Sequence, residues 1–140
     1  MLLVQIQQGV VFFMIQMGTK LNVADNSGAK TVICIKVQKG FKNNFSRVGD
    51  IILVSVKSLR SKRKLNASIV KGDICRALII RTKVDRKTIF GETVQFLENT
   101  VILLSKQNKY LFSRIFGLIP NRIRYTKYMR AVTMSAGVVK

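Results

Sequence analysis

The stretch LNVADNSGAKTVICIKV, Leu21 to Val37, sets a polar, glycine-bearing turn between two apolar runs. Read as a phosphate-binding loop, SGAKT makes the chain a nucleotide enzyme. Read as the corner of a hairpin, it makes a small β protein whose Lys30 faces something acidic. A Walker-type loop needs a glycine five residues ahead of a Gly-Lys-[Ser/Thr] end, so that backbone N–H groups and the lysine converge on phosphates. Here Ala29 separates Gly28 from Lys30, and the upstream glycine is absent. What remains, Asp25-Asn26-Ser27-Gly28, supplies side-chain caps and a positive φ, the chemistry of a turn between strands.

Working outward, the chain continues as short β-type runs separated by turn clusters. TVICIKV (Thr31–Val37) is rich in β-branched residues and leads into the loop QKGFKNNFSRVGD. DIILVSVKSL (Asp50–Leu59) is a second strand, and VKGDICRALIIRTK carries a third after the basic loop KSLRSKRKLNAS. VGDIILV and KGDICRALII share a Gly-Asp turn feeding a strand, which we read as similar turn chemistry rather than a repeat. ETVQF and TVILLSK, joined by LEN, read as a hairpin. Strands at this spacing, with no long helical segment between them, predict a small antiparallel barrel, mainly β, whose closure hides its edges. Beyond Ser105 the pattern changes. Pro120 is the only proline and stands where a short helix can begin over Asn121 to Tyr128, a helical C-terminal appendage.

The totals bound what such a barrel does. At 140 residues the chain fits one domain with a single core. Its hydrophobic fraction of 48% excludes a disordered basic tail. A formal charge of +19, from 25 Lys and Arg against 6 Asp and Glu, repels itself unless a polyanion neutralises it. Nucleic acid is the expected partner. With no histidine the commonest general base is missing, and Cys34 and Cys75 have no companions for a zinc site. Both cysteines lie in apolar segments and read as buried thiols. Asp50 and Asp73 follow glycines at strand entries and read as turn caps. We expect no catalytic set, no metal and no cofactor.

The candidate binding residues are basic. Arg60, Lys62, Arg63 and Lys64 crowd one loop without an acidic neighbour, a density that points to phosphate contact. With Lys42, Arg47, Arg81, Lys83 and Arg86 they form the expected RNA-binding set. Residues 99–140 hold eight basic side chains (Lys106, Lys109, Arg114, Arg122, Arg124, Lys127, Arg130 and Lys140) and no acidic one, so the C-terminal third reads as a binding face. Phe41, Phe45, Tyr110, Phe112, Tyr125 and Tyr128 sit near basic positions and are suited either to stacking on bases or to packing between barrel and appendage.

The segments MIQMGTKLNVADNSGAKTVICIKV, SRVGDIILVSVK, VKGDICRALIIRTK, RIFG and KYMRAV fall in one order and spacing that resembles the large-subunit ribosomal protein fourteen family, in its bacterial and organellar form. The resemblance runs from Met14 to the C-terminus. Departures are local: Phe90 precedes Gly91 where the family has a small polar residue, and Leu97 stands where an acidic one is usual, while Phe96 and Asn99 keep their places. The resemblance implies a five-stranded barrel with a small helical C-terminal part, anchored on large-subunit rRNA. It also implies contact with large-subunit proteins three and nineteen. In such proteins the face around RIFG and the C-terminal basic motif forms a bridge to small-subunit rRNA and docks a ribosome silencing factor. The matching positions are Ser113, Arg114 and Arg130.

Residues 1–13 lie outside this pattern and read as an apolar extension ahead of the 14–140 domain. The first 19 residues carry no charge, yet Gln5, Gln7, Gln8, Gly9 and Gln16 interrupt them, so neither a membrane span nor a targeting sequence fits. One or two extra strands or a packing arm is the expectation. Frequent Ile, Lys, Asn and Phe suit an AT-rich genome, which favours synthesis inside a mitochondrion over a bacterial cytoplasm. The rival function is a free-standing cationic module on an anionic membrane surface.

Overall fold

The structure is a computed structural model that describes residues 15–38, 46–61, 69–83, 86–87, 91, 93–94 and 96–139. Nine short strands appear among these residues: β1 (Lys20–Val23), β2 (Ala29–Val37), β3 (Ile51–Leu59), β4 (Ile74–Arg81), β5 (Arg86–Lys87), β6 (Thr93–Val94), β7 (Thr100–Leu104), β8 (Leu118–Pro120) and β9 (Gly137–Val139). β1, β2, β3, β4 and β7 close into a barrel in that order.

Four of the five ladders are antiparallel, and the closing one, between β1 and β7, is parallel. An odd number of strands that alternate in direction cannot close without one parallel contact. The sheet is therefore mixed at that seam, where the sequence led us to expect antiparallel pairing throughout. Closure leaves no strand of the barrel with an unpaired edge.

Alternation along β2 and β3 builds the core. Cys34 pairs with Val54 and Val54 with Cys75, and on the next level Ile52 pairs with Ala77 and Ala77 with Leu103. All of these side chains are buried, the two free thiols included. Burial pushes both thiols up to about 11, which keeps them protonated and inert at neutral pH. The opposite face of the same ladder carries Leu78 against Ile102, and these too are fully buried. Their cover is the C-terminal part, whose Ile115, Ile119, Ile123 and Ala131 join the same core. Each of the isoleucines contributes about 1.5–3 kcal/mol by leaving water.

Three turns share one construction. In Gln16–Thr19, Arg47–Asp50 and Val70–Asp73 the fourth residue's N–H donates to the first residue's carbonyl, each at 3.1 Å. The fourth side chain accepts the first residue's N–H, at 3.1 Å for Thr19, 2.7 Å for Asp50 and 2.8 Å for Asp73. Gly18, Gly49 and Gly72 take φ of 89°, 90° and 94°, which a type II turn demands at its third position. Each glycine N–H then donates to a neighbouring strand at 2.8 Å, reaching Cys34, Ile79 and Val56 respectively. The Gly-Asp echo of the sequence is thus a turn module, and QMGT is a third copy with threonine in the aspartate's place.

Two expectations are corrected here. ETVQF and TVILLSK do not form a hairpin: β6 pairs with β5, while β7 inserts between β4 and β1. The reason lies in burial, since Thr100–Leu104 is buried at every residue and needs neighbours on both edges and cover on both faces. The helix expected over Asn121 to Tyr128 is a 3₁₀ turn, Asn121–Tyr125, entered from Pro120 at φ −68°. A separate helix α1 (Arg130–Met134) follows it. β8 and β9 pair in parallel and complete the appendage. Of residues 1–19, only 15–19 are described; Ile15 is buried and bridges Ser46.

Candidate nucleic-acid interface

The opening turn explains how the C-terminal part is held. Asp25 is fully buried, and its carboxylate accepts the Ser27 N–H at 3.0 Å, the Ser27 hydroxyl and the Leu103 N–H at 2.8 Å. Gly28 follows at φ 108°. The Ser27 amide that a phosphate loop would offer outward is spent on Asp25, and the hairpin-corner reading holds. Asn26 turns the other way: its Oδ1 accepts the N–H groups of Ser113 and Arg114 at 3.0 and 3.2 Å, and its Nδ2 donates to Ser113 Oγ at 2.9 Å. The Phe116 N–H donates to the Ala24 carbonyl at 2.6 Å. One polar turn thus fixes the RIFG segment against the barrel.

Two arginines grip that segment from the other side. Arg60, just past β3, donates from Nη2 to the Val23 carbonyl at 2.8 Å and lies 5.4 Å over the Phe116 ring centroid. Arg81, ending β4, donates from Nη2 to the Phe116 carbonyl at 2.5 Å. Gly117 passes so close that a Cβ there would stand 2.7 Å from Arg81 Nη1. Both Nε atoms are buried without a hydrogen-bond partner. Burial draws the Arg81 guanidinium below its ordinary value, and the nearby Glu98 carboxylate works against that. Between these groups opens a groove of about 440 Å³, lined by Lys30, Arg60, Arg81, Glu98, Phe116 and neighbours from β1 and β7.

The sequence-derived residues divide three ways. Lys42, Lys62, Arg63 and Lys64 lie outside the described residues, and Arg86 is described only as part of β5. Arg47 and Lys83 are exposed; Arg47 sits in the second glycine turn, and the Lys83 N–H donates to Asn99 Oδ1 at 2.9 Å. Arg60 and Arg81 are half-buried and meet at Phe116.

On the C-terminal part, Ser113, Arg114 and Arg130 are all exposed. The Ile115 N–H donates to the Met134 carbonyl at 3.0 Å, so the strand-like segment bearing Ser113 and Arg114 is joined to the end of the helix that Arg130 begins. Lys106, Lys109, Arg122, Arg124 and Lys127 are exposed as well. Of the aromatic candidates, Phe41 and Phe45 lie outside the described residues. Tyr128 is buried, Tyr110 and Phe112 pack edge to face at 5.4 Å between centroids, and Tyr125 stands 83% exposed. Packing thus takes three of the four described candidates, and Tyr125 is left facing solvent. Phe116 is the functional candidate that sequence reasoning did not single out; its signal lay within RIFG, an aromatic two residues past a basic one and next to a glycine.

A model of the family described as ribosomal protein L14p/L23e matches residues 14–139. The chain belongs to this family, and is accordingly a structural, non-enzymatic protein of the large ribosomal subunit that binds rRNA.

Proposed function

From that membership we propose a division of labour between two basic surfaces. The loop around Arg60, Lys62, Arg63 and Lys64, with Lys42, Arg47, Arg81, Lys83 and Arg86, anchors the protein on large-subunit rRNA. The opposite duty falls to Ser113, Arg114 and Arg130, which meet small-subunit rRNA as an intersubunit bridge and offer a ribosome silencing factor its docking face. Large-subunit proteins three and nineteen are the expected neighbours. The ribosome in question is a mitochondrial one on compositional grounds, with a bacterial one as the alternative.

The observation that carries this reading is the charge of the C-terminal part. Seven basic side chains from Lys106 to Arg130 are exposed, and the sequence from Asn99 onward has no acidic residue to neutralise them. Such a face stays uncompensated until a polyanion arrives. Among the described residues no helix is long and apolar enough to cross a membrane.

Sedimentation tests the proposal. The protein is expected to co-migrate with large subunits through moderate salt. Alanine at Arg60, Lys62, Arg63 and Lys64 should weaken RNA binding without unfolding the barrel. Every phosphate that is no longer neutralised should flatten the log K against log[salt] slope by roughly 0.7–0.9. An unchanged slope removes that loop from phosphate binding. Binding to anionic liposomes that survives RNA competition would favour the membrane module instead.

A further inference from the structure

We propose that the groove between the barrel rim and the Phe116-Gly117 segment is a pocket for one unpaired nucleotide of RNA, its phosphate against Lys30, Arg60 and Arg81 and its base against Phe116. The proposal rests on the rRNA-binding reading and names a particular contact within it. Three cations line the groove against one carboxylate, Glu98. Each guanidinium carries five donors, and Arg60 and Arg81 each spend one on a backbone carbonyl while burying an unpartnered Nε. Half-buried guanidinium groups with this little compensation gain from an anion, and a charge-assisted bond to phosphate is about twice as strong as a neutral one.

The shape and the remaining chemistry select a nucleotide over a bare anion or an acidic peptide. A volume of about 440 Å³ lies in the range of small-molecule sites and far exceeds what one phosphate needs. Phe116 is 42% exposed, although its backbone is fixed at both ends by Ala24 and Arg81. It is an aromatic surface held in place, as base stacking requires. Glu98, which accepts the Asn22 side-chain amide at 2.5 Å, puts an acceptor beside the cations. A ribose hydroxyl or a base amine can donate to that carboxylate, whereas a second carboxylate from an acidic peptide would be repelled by it. The 2′-hydroxyl is also the group by which a protein separates RNA from DNA. Outside the groove, Arg60 and Arg81 serve as staples for the C-terminal part, so the same two residues link nucleotide occupancy to the seating of that part.

The test is an amide-resolved NMR titration of the full chain with adenosine monophosphate, its deoxy counterpart, inorganic phosphate and a glutamate-rich peptide. Saturable shifts confined to Lys30, Thr100, Phe116 and Gly117 are expected with the ribonucleotide, at an affinity roughly tenfold above that for inorganic phosphate, since stacking adds to the charge contact. Phe116→Leu and Lys30→Ala should each weaken the ribonucleotide roughly five- to tenfold, and Glu98→Gln should erase the preference over the deoxynucleotide. These variants spare Arg60 and Arg81, and thermal unfolding checks that each is folded. Equal affinity for phosphate and nucleotide overturns the nucleotide pocket, tighter binding of the peptide overturns the RNA assignment, and absence of shifts leaves the arginines as staples only. Sedimentation with large subunits, run on the same samples, separates the two levels: retention without nucleotide binding defeats the groove alone, and loss of retention by the unaltered chain defeats the rRNA reading.

Discussion

The buried carboxylate of Asp25 accepts the backbone N–H of Leu103 at 2.8 Å, tying the first turn of the barrel to its last strand across 78 positions of sequence. The bond crosses the seam where β1 and β7 run parallel, and parallel pairing is the less stable kind per residue. The same carboxylate holds Ser27, so closure of the barrel and shape of the turn depend on one side chain.

Asp25 should give the protein an unusual pH dependence. Burial holds its carboxyl above the ordinary 3.8, outweighing the lowering by the hydrogen bonds from Ser27 and Leu103 and by the charge of Arg60. The unfolded chain thus releases this proton at lower pH than the folded one. Its contribution to stability is fully present below the unfolded value and declines as pH rises from there through the folded value. Urea unfolding at a series of pH values should show that decline in the parent and lose it in Asp25→Asn. Asp25→Ala, which orphans the Leu103 N–H, should cost about 1–3 kcal/mol at low pH, where the parent carboxyl is protonated, and less as pH rises. A parent and Asn variant with superimposable pH profiles would show that the raised carboxyl has no part in stability.

Gly117 and Arg81 make a second coupled pair. Gly117 has φ 83°, where a side chain is strained, and an added Cβ would meet Arg81 Nη1. Gly117→Ala should lower stability by about 1–2 kcal/mol, from the backbone strain and from displacement of the guanidinium off the Phe116 carbonyl. Combined with Arg81→Ala the loss should be less than additive, because the displaced group is then already absent. Strict additivity in chemical unfolding would show that the close approach carries no energy.

β2 and β3 were legible in the sequence as runs rich in β-branched residues bounded by turn clusters, whereas their alternation between buried and half-buried positions emerges only in the fold. β7 was legible as a strand but not in its pairing: a run buried at every position has no polar face to state which side is which. Asp25 read as an ordinary turn cap, and its reach to Leu103 depends on a fold-level meeting that no local spacing encodes. The excess of basic residues from Lys106 to Arg130 was visible from charge alone, and all seven are exposed. The groove was not visible, since Arg60 and Arg81 stood in the expected RNA-binding set with no sign that β3 and β4 would deliver them to the same Phe116.

Residues 1–13 can be tested by deletion. Ile15 is fully buried and bridges Ser46, so a chain beginning at Met14 keeps this part of the core. The truncated protein should remain soluble, with an unfolding midpoint within about 2–4 °C of the parent, as a change below 1 kcal/mol gives at this size. Aggregation or loss of the cooperative transition would make the extension part of the core.

The last prediction separates assembly from subunit joining, using Arg114 and Arg130. Residues facing the parent rRNA meet their anion during assembly, whereas residues on the outward face meet theirs only when the small subunit arrives. Both guanidinium groups are exposed, and their backbones are held independently of their charges, Arg114 by Asn26 and Arg130 by the helix it begins. Reversal to glutamate therefore changes the charge of the face without removing a bond that holds the fold. Arg114→Glu with Arg130→Glu should enter large subunits at the parent's level and lower monosome yield, with the deficit largest at low magnesium, where screening of the new repulsion is weakest. Lysine at both positions should restore joining only in part, since an ammonium lacks the planar fork that pairs bidentately with phosphate. One gradient series over magnesium and salt measures incorporation and joining together. Normal monosomes at every condition would remove these arginines from the bridge, and failure to incorporate would place them against the parent rRNA.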